Sequence, residues 1–262
     1  MKKIILTSVL FAGMMLLLNS CCFEHRSIRG YGPSIDTIVD VEYVTGIEID
    51  GSMDVEVIPS DTFKVVIVAQ ENIAKLILIE KFGDVAKISY RPHTNVIPTD
   101  VTKLIFYMPE LYSVNIDGSG NIYVYETYES EEKFDAKING SGDIFIEELI
   151  CDKFEATING SGNIEAFVVA NNIETIVRGS GDLNYSGNTP NHTIRVAGSG
   201  EVEAFDLFTE TTFIDISGSG DCFVWAETTL DIYISGSGNV TYKGNPQITI
   251  EIPGSGNVNS WK

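Results

Sequence analysis

The sequence predicts an all-β chain whose main body is a single parallel β-helix, a β-solenoid with an N-terminal β cap. Three observations carry that reading. Gly-Ser-Gly recurs at Gly118, Gly140, Gly160, Gly179, Gly198, Gly218, Gly236 and Gly254, at intervals of 22, 20, 19, 19, 20, 18 and 18 residues. Alternating apolar residues precede each triplet, as in Phe134, Ala136, Ile138 and in Leu230, Ile232, Ile234. After each triplet comes one acid or amide and then one apolar residue. The period of two is that of a strand, and strands this short bury a face only by stacking coil on coil.

The acid-or-amide row runs Asn121, Asp143, Asn163, Asp182, Glu201, Asp221, Asn239, Asn257. The apolar row beside it runs Ile122, Ile144, Ile164, Leu183, Val202, Cys222, Val240, Val258. The eight triplets use 16 of the 24 glycines, so glycine is placed periodically and not scattered as in a linker. Each coil adds parallel strands at about 4.8 Å per step. The glycines mark a corner where a Cβ would clash or the backbone needs positive φ. The polar row is expected to hydrogen-bond along the axis. Loop length drifts only at the opposite corner: compare Glu126 to Lys133 with Glu227 to Thr229.

The chain divides in order. Residues 1–20 read as a signal: Lys2 and Lys3, then an apolar run from Ile4 to Leu18. That run is shorter than the roughly 20 residues of a membrane span. It ends Leu18-Asn19-Ser20-Cys21, which resembles a bacterial lipobox; the resemblance implies that Cys21 is lipidated and becomes the mature N-terminus. Residues 21–36 are mostly polar with Gly30, Gly32 and Pro33, and are expected to form a flexible tether reaching roughly 20 Å. Residues 37–262 form the head. Within it, 37–114 makes the cap and wide first coils or antiparallel strands, and 115–262 the triplet coils. Ile47, Ile49, Gly51, Ser52, Asp54, Val55 and Val57 form one degenerate copy, with Met53 in place of the second glycine. Strand-like runs follow at Phe63 to Ala69, Val85 to Tyr90 and Leu104 to Met108.

The stretch from Pro109 to Ile122 and the serial Gly-Ser-Gly-[Asp/Asn]-apolar units after it resemble the GIN-domain adhesin family, the head of auto-transporter-like adhesins. The resemblance covers roughly Ile38 to Val258. It implies a right-handed parallel β-helix of the pectin-lyase-like kind, without those enzymes' catalytic residues. A left-handed hexapeptide β-helix is the alternative fold; its 18-residue coil matches two intervals only.

Composition narrows the function. The 262 residues hold 17 Lys and Arg against 37 Asp and Glu, a formal charge of −20 that repels nucleic acid. Removing residues 1–20 takes away two lysines and no acid. With only His25, His93 and His192, imidazole metal sites lack material, and no metal or cofactor is expected. The polar row has too few carboxylates for a calcium ladder. Glu131/Glu132 and Glu147/Glu148 read as solvated loop charge. The cations Lys133, Lys137, Lys153, Arg178, Arg195, Lys243 and Lys262 read as scattered, never sharing a row in neighbouring coils. His192 reads as a surface side chain, and Cys151 and Cys222 as buried free thiols. No catalytic residue is assigned. The aromatic row Tyr125, Phe167, Phe205, Trp225, Trp261 is either an exposed strip for sugars or a partner protein, or core; core is preferred.

The expected function is thus a non-catalytic, lipid-anchored binding module of the cell envelope, exported and held at the outer membrane. Its expected partners are the membrane through Cys21, and neutral glycans or a surface protein. A polysaccharide-acting enzyme and a structural envelope protein are the alternatives. The last coil leaves an exposed edge: either polar Asn257, Asn259 and Lys262 blunt it, or it makes an end-to-end contact, and weak self-association through this end is the expectation carried.

Overall fold

The computed structural model describes residues 26–261. Strands occupy 67% and helix 2%, and the strands wind a β-solenoid of about seven turns, which settles the all-β class. The signal segment and Cys21 lie outside the described residues.

Two parallel faces make the column. The face entering each triplet runs β7 (Val85–Tyr90), β3 (Gly46–Gly51), β10 (Ser113–Gly118) and β12 (Lys133–Gly140). It continues through the C-terminal halves of β13 (Ile144–Ile158), β14 (Ile164–Val177), β15 (Leu183–Val196), β16 (Val202–Ile216) and β17 (Cys222–Ile234), and ends on β19 (Gln247–Glu251). The face leaving each triplet runs β9 (Lys103–Met108), β4 (Asp54–Pro59), β11 (Ile122–Glu129), the N-terminal halves of β13 to β17, β18 (Asn239–Lys243) and β20 (Asn257–Ser260). The triplets form one corner. Register shifts fall at the other, between Ile146 and Leu149 and between Ala204 and Phe208, where loop length was expected to drift.

Close approach explains the glycines better than backbone conformation does. A Cβ on Gly140 would lie 1.9 Å from the Gly118 carbonyl oxygen, and one on Gly162 1.8 Å from that of Gly142. Only Gly51 and Gly118 in this row have positive φ, 136° and 148°. With no side chains between them the corners stack at hydrogen-bond distance. The Ser141, Ser161 and Ser180 N–H groups donate to the carbonyls of Gly118, Gly140 and Gly160, each at 2.8 Å. The degenerate copy stacks in register, Gly51 beside Gly118.

Between the faces lies a column of Ile, Val and Phe. Ile122, Ile164, Leu183, Val202, Cys222 and Val240 are all fully buried, as are Ile138, Ile158, Ile216 and Ile234 on the facing strands. Each such side chain contributes about 1.5–3 kcal/mol. Cys151 and Cys222 are buried free thiols, as expected.

The N-terminal end combines both expected arrangements. β3 and β4 are ordinary parallel coil strands, but β5 (Lys64–Gln70) runs antiparallel on β9 and β6 (Ile77–Phe82) antiparallel on β7. A one-turn helix, Glu71–Ala74, connects β5 to β6, and its Ile73 is fully buried, so this end of the core is roofed.

Three expectations need correction. The tether does not extend to residue 36. β1 (Arg26–Arg29) pairs with β8 (Thr94–Ile97), and β2 (Ser34–Val39) pairs antiparallel with β5. The Gln70 amide, donating to the Gly32 carbonyl at 2.6 Å, ties the intervening turn down. His192 is buried, because it continues the inward row Phe134, Phe154, Ile173, His192, Thr212, Leu230. Lys133 and Lys153 do share a row in neighbouring coils.

Candidate ligand-binding surface

Acidic and basic side chains between Lys133 and Arg195 on the entering face neutralise one another. Lys133 contacts Asp135 at 2.8 Å and Glu155 at 2.5 Å. Lys153 bridges Glu155 and Glu174, and Arg195 reaches Glu174 at 2.5 Å. The hydrogen bond from Lys153, against the cost of partial burial, holds the Glu174 carboxyl below its ordinary range. Every member has an opposite charge beside it, so this ladder offers no unpaired base for proton abstraction.

The acid-or-amide row is a hydrogen-bond ladder, as its spacing predicts. Backbone N–H groups of Asp143, Asn163 and Asp182 donate to the side-chain oxygens of Asn121, Asp143 and Asn163 at 2.8–3.1 Å. Glu201 donates from its N–H to Asp182 at 2.7 Å, and Asn239 likewise to Asp221. The series breaks between them: Glu201 is one carbon too long to take the Asp221 N–H. Burial and the nearby Asp182, Glu203 and Asp221 raise its pKa. Glu147 and Glu148 cap the far corner, accepting from the Glu126 N–H at 2.8 Å and from the Thr127 hydroxyl.

His192 and the thiols of Cys151 and Cys222 lie inside the column. His192 Nε2 lies 3.0 Å from Thr175 Oγ1, and burial pushes its pKa down to about 3. Burial, with Asp152 adding, pushes the Cys151 thiol up to about 12. Among the described residues no three His, Cys, Asp or Glu side chains are placed to hold a metal ion.

What faces outward is aromatic. Trp261 is 61% exposed, Phe167 38% and Phe208 37%, while Tyr125, Phe205 and Trp225 are half-buried. The expectation that this row is core therefore fails: inward and outward positions still alternate here, as in buried Ile122 and Val124 against outward Tyr123 and Tyr125, so the third residue past the apolar row faces out. The side chains gather most densely at the C-terminal end. Phe205 packs edge-on against Phe223 at 5.5 Å between ring centroids and against Trp261 at 5.4 Å. Phe208 meets Trp225 at 5.2 Å. Lys243 Nζ stands 4.5 Å from the Trp225 ring and 5.5 Å from that of Phe205, with Asp206 at 3.8 Å. Trp225 Nε1–H donates to Glu227 at 2.7 Å.

A change of coil length creates this ledge. The coil begun at Gly198 has 20 residues and the next has 18. The surplus appears as a bulge in β16: Ala204 pairs with Val224 and Phe208 with Trp225, and residues 205–207 between them have no partner on β17, although Asp206 and Leu207 pair with Ser186 and Gly187 on β15. Leu207 turns into the core, while Phe205, Asp206 and Phe208 stand outward. Counting from the triplet placed Phe205 beside Trp225; the bulge puts Phe208 there. Sequence reasoning missed Phe208, Phe223 and Lys243, although the step from 20 to 18 was a signal for the bulge.

With this geometry in view, a family model described as "Putative auto-transporter adhesin, head GIN domain" matches residues 44–246. The chain belongs to that family. The GIN-domain head has solved relatives in Parabacteroides species. A Parabacteroides distasonis structure named "putative lipid binding protein" is 29% identical, with a TM-score of 0.83 over 90% of this chain and 100% of that one. A Parabacteroides merdae structure named as a putative adhesin shares 20% identity over the same shares of both chains, also with a TM-score of 0.83, which shows the common fold. No curated protein matches the chain in sequence.

Proposed function

We propose that this GIN-domain head is a non-catalytic, lipid-anchored binding module of the cell envelope that takes neutral glycans on the aromatic ledge. The observation that carries the reading is the outward cluster Phe205, Phe208, Phe223, Trp225 and Trp261 around Lys243. Flat apolar rings beside hydrogen-bonding groups suit a sugar, whose ring faces are apolar and whose rim is polar. The formal charge of −20 disfavours acidic polysaccharides and leaves neutral ones. The absence of catalysis is supported by the ion-paired acids, the buried His192 and the buried thiols. Family membership supports a surface location. Among the described residues no helix is long and apolar enough to cross a membrane.

A glycan array probed with the head and with its Trp225→Ala form tests the ligand class. Neutral glycans retained by the parent and lost by the variant are expected; retention of acidic glycans alone would overturn the reading. Vesicles included in the same screen test lipid contact, for which the P. distasonis relative is named. Incubation of the head with neutral and acidic polysaccharides, with and without calcium, tests catalysis. New reducing ends or unsaturated products that disappear on changing one acid would replace the binding module with an enzyme. The anchor has its own test. Cys21→Ala is expected to abolish incorporation of labelled lipid and to release the protein from membranes; label retained in the variant would refute the assignment.

A further inference from the structure

We propose that the C-terminal end of the solenoid is a homodimer interface, where two copies meet end to end about a two-fold axis. The two ends of the column differ. At the N-terminal end Ile73 covers the core. At the other end, nothing among the described residues lies above the inward rows: Ile248, Ile250 and Ile252 are 37%, 48% and 36% exposed, while Leu230, Ile232 and Ile234 one coil below are buried. Among the described residues β19 pairs only with β17 and β20 only with β18, so both carry an unpaired row of backbone donors and acceptors.

The occupant must match that cross-section. It has to offer two strand edges about 10 Å apart, the width of a packed core, with apolar side chains between them. A second copy's C-terminal end offers that surface. Its N-terminal end does not: there the core is closed, and the β6 edge carries Glu80 and Lys81.

Symmetry then sets the register. A strand pairing with its own copy across a two-fold axis runs antiparallel to it. Centred on Thr249, β19 places Ile248 opposite the copy's Ile250 and Glu251 opposite Gln247. The apolar residues meet, and the one charge of β19 faces an amide. No charge stands on β20. β19 and β20 themselves contain no lysine or proline of the kind that commonly guards an exposed strand; Pro246 and Pro253 flank β19 and leave its own donors and acceptors free. Trp261 follows β20 directly, so pairing would bring two aromatic ledges to one junction, and a branched or repeating glycan would be held by both. The interface stands on the strand edges alone and does not depend on the ledge binding sugar.

Sedimentation velocity of the purified full chain over a concentration series tests it, with disulfide trapping alongside. A monomer–dimer equilibrium is expected, with dissociation in the range of about 1–100 µM for a small interface. Ile250→Glu is expected to weaken it at least about tenfold by burying a charge, with the melting temperature unchanged because Ile250 is already half exposed in one copy. Thr249→Cys should give an oxidised dimer beyond the parent chain's level, because antiparallel partners bring their Cβ atoms within about 5.5 Å. Glu80→Cys at the roofed end should not. A chain that stays monomeric throughout, an Ile250→Glu form that dimerises like the parent, or equal trapping at both ends would overturn the proposal. So would growth into filaments, which a closed two-fold contact forbids.

Discussion

His192 is a buried imidazole in a column otherwise lined mostly by apolar side chains. Its neighbours from Asn188 to Asn191 are turn formers, so sequence placed it on a surface loop. In the column it fills a core position between Ile173 and Thr212, with Tyr185 and Thr175 forming the rest of a polar seam. Its Nδ1 has no partner. Burial keeps the imidazole neutral down to about pH 3, whereas in the unfolded chain it titrates near about 6.5. Between those values the unfolded chain holds the extra proton. Stability from this group is therefore full above about pH 6.5 and falls as the pH drops towards 3. The loss is of the order of several kcal/mol, at about 1.4 kcal/mol per pKa unit. His192→Leu, which suits a row already holding Ile173 and Leu230, should remove that part of the acid sensitivity. Melting temperatures of both forms at about pH 7 and about pH 4.5 check this: the gap should narrow in the variant. An equal gap would place the acid sensitivity elsewhere.

Among the elements, the triplet corner was the most legible. Its glycines obey a steric rule that repeats in every coil, and its polar row a hydrogen-bond rule that is broken at Glu201, so the copies reinforce one another. The antiparallel strands of the cap carry no repeat, and pairs such as β6 with β7 declare themselves only through long-range register. The aromatic ledge was half legible. The residue types were visible, but a bulge changes the phase of β16, and counting from the triplet cannot see it. Glu201 provides a test of the ladder itself. Asn at this position would reach the Asp221 N–H as Asn121 reaches that of Asp143, and would relieve the repulsion from Asp182 and Asp221. Glu201→Asn should stabilise the protein by about 1 kcal/mol, read as a rise in the denaturation midpoint. A lower midpoint would mean that the corner does not depend on this row.

At the scale of the molecule, the protein is a stack that needs no site to hold together. Each coil supplies a backbone corner and a buried row, paired charges ladder the entering face from Lys133 to Arg195, and what varies is pushed to the far corner and to the C-terminal end. The ledge lies where both meet. Its chemistry also provides its own probe, because Trp225 and Trp261 are the two tryptophans of the chain and both belong to it. Intrinsic fluorescence therefore reports on the ledge alone. Titrating the head with a neutral glycan retained on the array should give a saturable change in tryptophan emission, with affinity falling at least about tenfold in Trp261→Ala, an exposed position whose loss leaves the fold intact. Saturable glycan binding with unaltered emission, and with full affinity in Trp261→Ala, would place the ligand elsewhere on the column and contradict the account.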